Sequence, residues 1–174
     1  AKRELLEQMP PFLCGGEMID SVSRTGAVWA EGPHKFEAGT VNGAGAYALA
    51  EAIRYVQKIG FDLIEEREAK LTKLLMDGMK EIPAVHILGS QKAEDHHGIV
   101  TFKLEGVHPH DVASVLDADH IAVRAGHHCA QPLLQHLKVL STTRVSLGVY
   151  NTEEEIQAFL TSLAGIRRQM GYGE

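Results

Sequence analysis

The residues with the clearest chemical potential stand together in the segment Arg-Ala-Gly-His-His-Cys-Ala-Gln-Pro at positions 124–132. Cys129 directly follows His127 and His128, and Arg124 lies five residues upstream. A thiol beside imidazoles and a cationic side chain has features that favour the thiolate, the nucleophilic form of cysteine. The segment therefore suggests a cysteine nucleophile. One cysteine near histidines is a modest signal, and a buried structural cysteine is the alternative.

The elements around this segment should place it on a loop. The apolar residues 121–123 predict a strand before it, and Pro132 followed by leucines predicts a short amphipathic helix after it. Residues 142–148 predict a further strand that contains Arg144. The cysteine would then lie between a strand end and a helix start.

Past Pro83 the predicted order is strand, strand, helix, strand, helix, strand, helix. This order favours an α+β arrangement with an antiparallel or mixed sheet and helices on one face. The last helix is opened by a predicted capping box of Thr152 and Glu155. Residues 83–174 are therefore expected to form one small domain that carries the cysteine loop.

The amino-terminal part has a different character. Residues 12–25 are punctuated by glycine and predict a loop, and residues 27–30 predict a short strand. A helix rich in small residues follows from position 42 to about 60, and a long amphipathic helix runs to about 82. We expect residues 1–60 to be a remnant of a larger domain and residues 61–82 to be a connecting helix.

Composition limits the possible partners. The chain has 174 residues, 44% hydrophobic residues and a net charge of −6, so it can bury a core but has no basic stripe for nucleic acid. No apolar run approaches the roughly 18 residues of a membrane span, and no signal-peptide segment is evident, which predicts a cytoplasmic protein. The two cysteines, Cys14 and Cys129, do not have the spacing of a disulfide framework or a zinc ribbon. Because His127, His128 and Cys129 are adjacent and point apart on extended chain, no metal site is expected there.

Several motifs together resemble the carboxy-terminal part of the SufS-type (group II) cysteine desulfurases. The motifs are residues 124–132 with Arg144, Tyr-Asn-Thr-Glu-Glu-Glu at 150–155, Phe-Glu-Ala-Gly-Thr at 36–40, and Met-Pro-Pro at 9–11 with Gly-Gly-Glu-Met-Ile at 15–19. These enzymes are class V aminotransferases in sequence family and have the α/β fold of type I pyridoxal-phosphate (PLP) enzymes. They convert L-cysteine to L-alanine and leave a persulfide on the enzyme, which supplies sulfur for iron–sulfur cluster assembly.

The resemblance implies roles for individual residues. Cys129 would be the nucleophile that becomes the persulfide, and Arg144 and Arg124 would bind the substrate carboxylate. Thr40 would contact the PLP phosphate of the neighbouring subunit in a homodimer. Val41 departs from the family, in which a proline is common at this position.

Three histidines near these residues each have two possible roles. His127 and His128 would either tune the thiol or support its loop. His110, in the sequence His-Pro-His at the start of a predicted helix, would meet a sulfur-acceptor protein of the SufE or SufU kind, or else be a solvated helix start.

The resemblance also implies what this chain lacks. The family's Schiff-base lysine lies upstream of the matched region, and Lys35, which precedes the 36–40 motif, has the wrong surroundings to replace it. We therefore expect a fragment that binds no PLP and is inactive alone. The alternatives are a selenocysteine lyase of the same fold and a non-enzymatic sulfur-carrier or protein-binding fragment.

Overall fold

The computed structural model describes residues 1–172, so the last two positions of the predicted small domain lie outside the described residues. The chain divides into two compact units, Ala1–Lys58 and the part from Ile59 onward. The long helix predicted as a connector belongs to the second unit.

The first unit consists of two helices and a two-stranded sheet. Its elements are α1 (Arg3–Gln8), β1 (Ile19–Val22), β2 (Ala27–Trp29), a 3₁₀ turn (His34–Phe36) and α2 (Gly43–Ile59). The interpretation of residues 12–25 as loop was wrong in part, because β1 lies within it and pairs with β2. A tight turn closes this hairpin, with the Ser23 N–H donating to the Gly26 carbonyl at 2.8 Å. β1 was missed because its polar Asp20 and Ser21 give no apolar run, while backbone pairing across the turn is enough to form the strand.

The second unit alternates strands and helices. Its elements are α3 (Phe61–Lys80), β3 (Val85–Leu88), a 3₁₀ turn (Ala93–Asp95), β4 (Ile99–Leu104), α4 (Pro109–Ala118), β5 (Arg124–Gly126), α5 (Gln131–His136), β6 (Thr142–Ser146) and α6 (Glu153–Gln169). The strands form one antiparallel sheet in the order β3-β4-β6-β5. The predicted element order is confirmed.

One face of this sheet packs on helices and forms the core. Val100, Phe102 and Leu104 alternate along β4 and are buried, while the residues between them are not. The helical side of the core comes from the apolar faces of α3, α4 and α6, among them Leu75, Leu116 and Leu163. Phe102 meets Phe159 of α6 edge-on, with ring centroids 6.2 Å apart. The expected sheet with helices on one face is therefore confirmed, and its other face carries the side chains considered below.

The strand expected at residues 121–123 is displaced along the chain. β5 is Arg124–Gly126, and residues 121–123 precede it as irregular chain. Ile121 and Val123 are partly buried against the core. Their apolar character therefore reflects packing and does not require hydrogen-bonded pairing with a neighbouring strand. Arg124 therefore lies within the strand.

The loop between β6 and α6 is fixed from two sides. The predicted capping box is confirmed: the Thr152 hydroxyl accepts from the Glu155 N–H, and the Glu155 carboxylate accepts from the Thr152 N–H at 2.9 Å. From α3, the Arg67 guanidinium donates to the carbonyls of Val149 at 3.1 Å and Asn151 at 2.9 Å. Among the helices that the structure describes, none is long and apolar enough to cross a membrane.

Candidate functional site

The sheet register brings the two predicted carboxylate ligands to opposite positions on neighbouring strands. Arg124 of β5 pairs directly with Arg144 of β6. Directly opposed residues of an antiparallel pair project to the same face, with Cβ atoms about 5 Å apart. Thr101 of β4 is the next residue in this row, because it pairs with Arg144 from the other side. The two guanidinium groups thus share the sheet face opposite the core.

The surroundings of Arg144 leave hydrogen-bonding capacity unused. Arg144 is half-buried, and its Nε is enclosed without a hydrogen-bond partner among residues 1–172. A buried donor without a partner is costly, and a planar guanidinium matches a carboxylate in a two-pronged geometry. With Arg124 exposed beside it, the pair offers a binding position for a small carboxylate.

Cys129 lies in a tight turn that follows β5. The Ala130 N–H donates to the His127 carbonyl at 2.9 Å, and the two central residues have positive φ, 54° at His128 and 57° at Cys129. Positive φ at both central residues is the pattern of a type I′ turn. Each non-glycine residue in this region costs about 1–2 kcal/mol, so contacts outside the turn must stabilise it. Cys129 is an exposed, free thiol, which is incompatible with a buried structural cysteine.

The side chain of His128 provides such a contact. Its Nε2 lies 2.9 Å from the hydroxyl of Thr142, a fully buried residue of β6. Thr142 precedes Arg144 by two positions and therefore shares its face of the sheet. Burial lowers the pKa of His128 below its ordinary value, and the positive charge of Arg144 lowers it further. The imidazole is consequently neutral at neutral pH.

The other two predicted histidines are exposed. His127 begins the turn and takes part in it through its backbone carbonyl. His110 lies in the first turn of α4, its ring stacked on that of His108 with centroids 5.3 Å apart, and its N–H donates to the His108 ring at 3.3 Å. His110 is therefore placed where a partner could reach it, apart from the Cys129 turn in sequence and on another element.

The two residues considered for contact with PLP, Thr40 and Lys35, lie in the first unit. Thr40 is exposed in the loop after Gly39, which has a φ of 85°, and before α2. An exposed hydroxyl can donate a hydrogen bond to a phosphate oxygen. Lys35 does not fit the role of cofactor lysine, because it is buried, its ammonium donates to the Glu7 carbonyl at 3.0 Å, and it lies over the Phe36 ring.

Within residues 1–172, no group of three or more His, Cys, Asp and Glu side chains is arranged to hold a metal ion. Thr142, the partner of His128, was missed by the sequence interpretation. The two-residue period of a strand that contains Arg144 could have indicated that Thr142 shares its face, but the approach of His128 depends on the turn.

Comparisons of the sequence and of the structure with known proteins point to the same family. The sequence profile described as Aminotransferase class-V matches residues 1–159. Proteins described as probable cysteine desulfurases from Staphylococcus aureus (strain Mu50) and Xylella fastidiosa (strain Temecula1) are 48% and 47% identical over 171 residues, which is 98% of this chain and 41% of theirs. The chain thus spans about two fifths of the length of these relatives.

Two solved structures share the fold closely. The apo cysteine desulfurase of Thermococcus onnurineus NA1 is 41% identical with a TM-score of 0.89, over 97% of this chain and 42% of that one. The cysteine desulfurase CsdA of Escherichia coli, in an S-sulfonic acid form, is 33% identical with a TM-score of 0.88, over 97% of this chain and 41% of that one. The chain therefore belongs to the class V aminotransferase family.

Proposed function

We propose that this chain is the carboxy-terminal part of a PLP-dependent cysteine desulfurase of the SufS type. The parent protein converts L-cysteine to L-alanine and leaves the sulfur as a persulfide on Cys129. The observation that carries the proposal is the shared sheet face, on which Arg124 and Arg144 stand opposite each other while His128 ties the Cys129 turn to the same strand. The high identity to proteins described as cysteine desulfurases supports the same reading.

The arginine pair binds and orients the substrate. Arg144 offers a two-pronged contact to the carboxylate, and the enclosed Nε supplies the donor that lacks a partner in the described residues. Arg124, exposed on the next strand, adds a second positive charge. Holding the carboxylate in this way fixes the direction in which the substrate side chain extends.

Cys129 accepts the sulfur. Its thiolate attacks the substrate Sγ, the new S–S bond forms, and the substrate Cβ–Sγ bond breaks with its electron pair left on carbon. Protonation of that carbon gives the methyl group of alanine, so that L-cysteine plus the Cys129 thiol become L-alanine plus the Cys129 persulfide. Exposure of the thiol on a turn suits the next transfer, to a partner protein.

PLP supplies the electron sink that makes the substrate Cβ–Sγ bond cleavable when the cofactor is bound. In this chain the exposed Thr40 hydroxyl would donate to its phosphate. Lys35 is buried and engaged with a backbone carbonyl, so the lysine that carries the cofactor would come from a longer parent chain. The present chain alone would then be inactive.

The parent would act as a cytoplasmic homodimer in which Thr40 serves the neighbouring subunit. It would pass sulfur to an acceptor of the SufE or SufU kind for iron–sulfur cluster assembly. His110 is exposed at the start of α4 and is the side chain that we assign to acceptor contact. Its replacement by alanine should slow transfer to the acceptor protein and leave alanine release with a small-molecule thiol unchanged.

The proposal is tested on the parent protein with PLP and L-cysteine. We expect alanine release and a mass gain of one sulfur atom on the peptide that contains Cys129. Cys129→Ser should remove both, while Cys14→Ser, the matched control at the other exposed cysteine, should remove neither. Alanine release that survives in Cys129→Ser would refute the assignment of Cys129.

The same assay separates the alternative functions. A selenocysteine lyase would release alanine from selenocysteine and little from cysteine. A carrier fragment would accept sulfur from a persulfide donor on Cys129 and release alanine from neither amino acid. Either result would refute the proposal that the parent protein is a cysteine desulfurase.

A further inference from the structure

The turn that carries Cys129 is tied to the sheet by a side-chain hydrogen bond. Its two central residues, His128 and Cys129, both have positive φ without being glycine. One backbone hydrogen bond, from Ala130 to His127 at 2.9 Å, closes the turn. Because this conformation is unfavourable for L-residues, its population depends on what else restrains it.

The restraint joins one of the central residues to the strand of the arginine ligand. His128 Nε2 lies 2.9 Å from Thr142 Oγ1, and Thr142 is fully buried. Thr142 projects to the same sheet face as Arg144, two positions further along β6. The contact therefore ties His128, the residue before the thiol, to the strand and the sheet face that carry Arg144.

The imidazole is suited to a permanent contact of this kind. Burial and the charge of Arg144 keep it neutral, which removes repulsion between His128 and the arginine pair. A hydroxyl both donates and accepts, so the bond to Thr142 forms with either neutral tautomer. His128 Nδ1 is enclosed and makes no hydrogen bond within residues 1–172, so the ring is held from its Nε2 side.

We propose that His128 is a positioning residue, whose bond to Thr142 holds the Cys129 turn in register with Arg144. The inference rests on the proposed function for the roles of Cys129 and Arg144, while the restraint itself is a property of this chain. It also separates the two neighbouring histidines: His128 orients the thiol, and His127 is exposed. A substrate whose carboxylate is bound at Arg144 would thereby present its sulfur at a fixed distance from Cys129.

The restraint is tested on the chain itself by residue-resolved amide hydrogen exchange. Thr142→Val removes the hydroxyl and keeps the branched shape, and it should reduce the protection of the Ala130 amide about three- to tenfold, the effect of one neutral hydrogen bond. Thr142→Ser, which keeps the hydroxyl, should restore protection. The amide of Phe102 in β4 reports on the fold as a whole and should be unaffected.

A matched control lies next to Thr142 on the same strand. Thr143 is equally buried and faces the core, and its hydroxyl has no hydrogen-bond partner in the part of the chain that the structure describes. Thr143→Val should leave Ala130 protection unchanged. If Thr142→Val does not fold, His128→Ala against His128→Gln gives the same comparison, because glutamine keeps a donor and an acceptor at similar reach. Unchanged Ala130 protection in the folded variant that lacks the bond would overturn the proposal.

Kinetics of the parent protein test the functional consequence. In Thr142→Val, kcat for alanine release should fall about three- to tenfold, as the correctly placed thiol becomes less populated, and KM for L-cysteine should not change, as Arg144 is untouched. Thr142→Ser should recover kcat. An unchanged kcat despite lost protection would refute the positioning role. If the wild-type parent releases no alanine, the proposed function fails, and hydrogen exchange still decides whether the restraint exists.

Discussion

Arg124 and Arg144 carry like charges at directly opposed positions of neighbouring strands. Such a pair destabilises a sheet by up to about 1 kcal/mol, since the side chains are held close together. A fold selected for stability alone would have little reason to place them there. The arrangement is reasonable if an anion, such as the carboxylate of the proposed substrate, binds between the two groups and offsets their repulsion.

Removing one of these two charges should therefore stabilise the chain and weaken carboxylate binding. We expect Arg124→Gln to raise the free energy of unfolding of the chain by a few tenths of a kcal/mol, discounted because Arg124 is exposed. In the parent protein the same variant should raise KM for L-cysteine. Urea unfolding and steady-state kinetics measure the two effects, and Lys103→Gln, another exposed cation of the sheet, is the control for charge alone. A loss of stability in Arg124→Gln would contradict the repulsion.

His128 should make the stability of the chain depend on pH in a defined direction. Its pKa in the folded chain is lowered from 6.5, first by burial and then by Arg144; a hydrogen bond to the Thr142 backbone opposes this in part, and Arg124 and His127 lower the pKa slightly further. As the pH falls through 6.5, the unfolded chain gains a proton that the folded chain does not bind, so stability decreases until the pH falls below the folded pKa. Above 6.5 this loss is absent.

Replacement of His128 by glutamine should remove this component. We expect the free energy of unfolding of the wild type to fall relative to that of His128→Gln as the pH decreases from about 8 to about 5. Urea unfolding at each pH measures both values. Taking the difference between the two proteins removes every contribution that they share. A difference that is constant with pH would show that His128 titrates alike in the folded and unfolded states.

At the scale of elements, the long helix α3 fixes the segment that follows the arginine strand. Arg67 donates to the carbonyls of Val149 and Asn151, which lie between β6 and α6. A guanidinium can reach two acceptors at fixed separation, whereas an ammonium cannot reproduce that fork. The loop between β6 and α6 is therefore held by α3 in addition to the capping box of α6.

Arg67→Lys should consequently destabilise the second unit by about 1–2 kcal/mol, because one of two charge-assisted hydrogen bonds is lost. Lys70, one helical turn onward, supplies the comparison: its ion pair with Glu153, 2.5 Å long, is exposed, so Lys70→Met should cost less than about 0.5 kcal/mol. Chemical unfolding of both variants tests the difference. Equal effects would mean that Arg67 acts only through its charge.

The sequence patterns predicted those elements whose signals are local. The capping box of α6 and the alternation of β4 depend on neighbouring residues, and both were correctly placed. Local signals could not fix the register, and a one-residue slip would move Arg124 to the other face. The strand at 121–123 was misplaced for a related reason, since burial against helices and pairing in a ladder select the same apolar residues. The bond between His128 and Thr142 depends on register and turn together, and so it needed the structure.

At the scale of the whole molecule, the two units differ in what they bury. In the second unit, fifteen buried side chains form one cluster between the sheet and its helices. In the first unit, all of whose residues are described, Met18 is the one buried apolar side chain, and α2 buries none. One buried side chain contributes about 1.5–3 kcal/mol, far less than the conformational entropy of ordering residues 1–58 at about 1–2 kcal/mol each.

The first unit should therefore open long before the second. We expect limited digestion with a nonspecific protease to cut the chain within residues 1–58 and to leave a resistant fragment that begins near Ile59, identified by mass spectrometry. That fragment should unfold cooperatively with the stability of the uncut chain, since the core cluster lies entirely within it. Leu116→Ala serves as the control: loss of a fully buried leucine, costing about 2–5 kcal/mol, should make the second unit sensitive to protease as well. Equal resistance of both units in the wild-type chain would mean that residues 1–58 gain stability from contacts beyond their own buried surface.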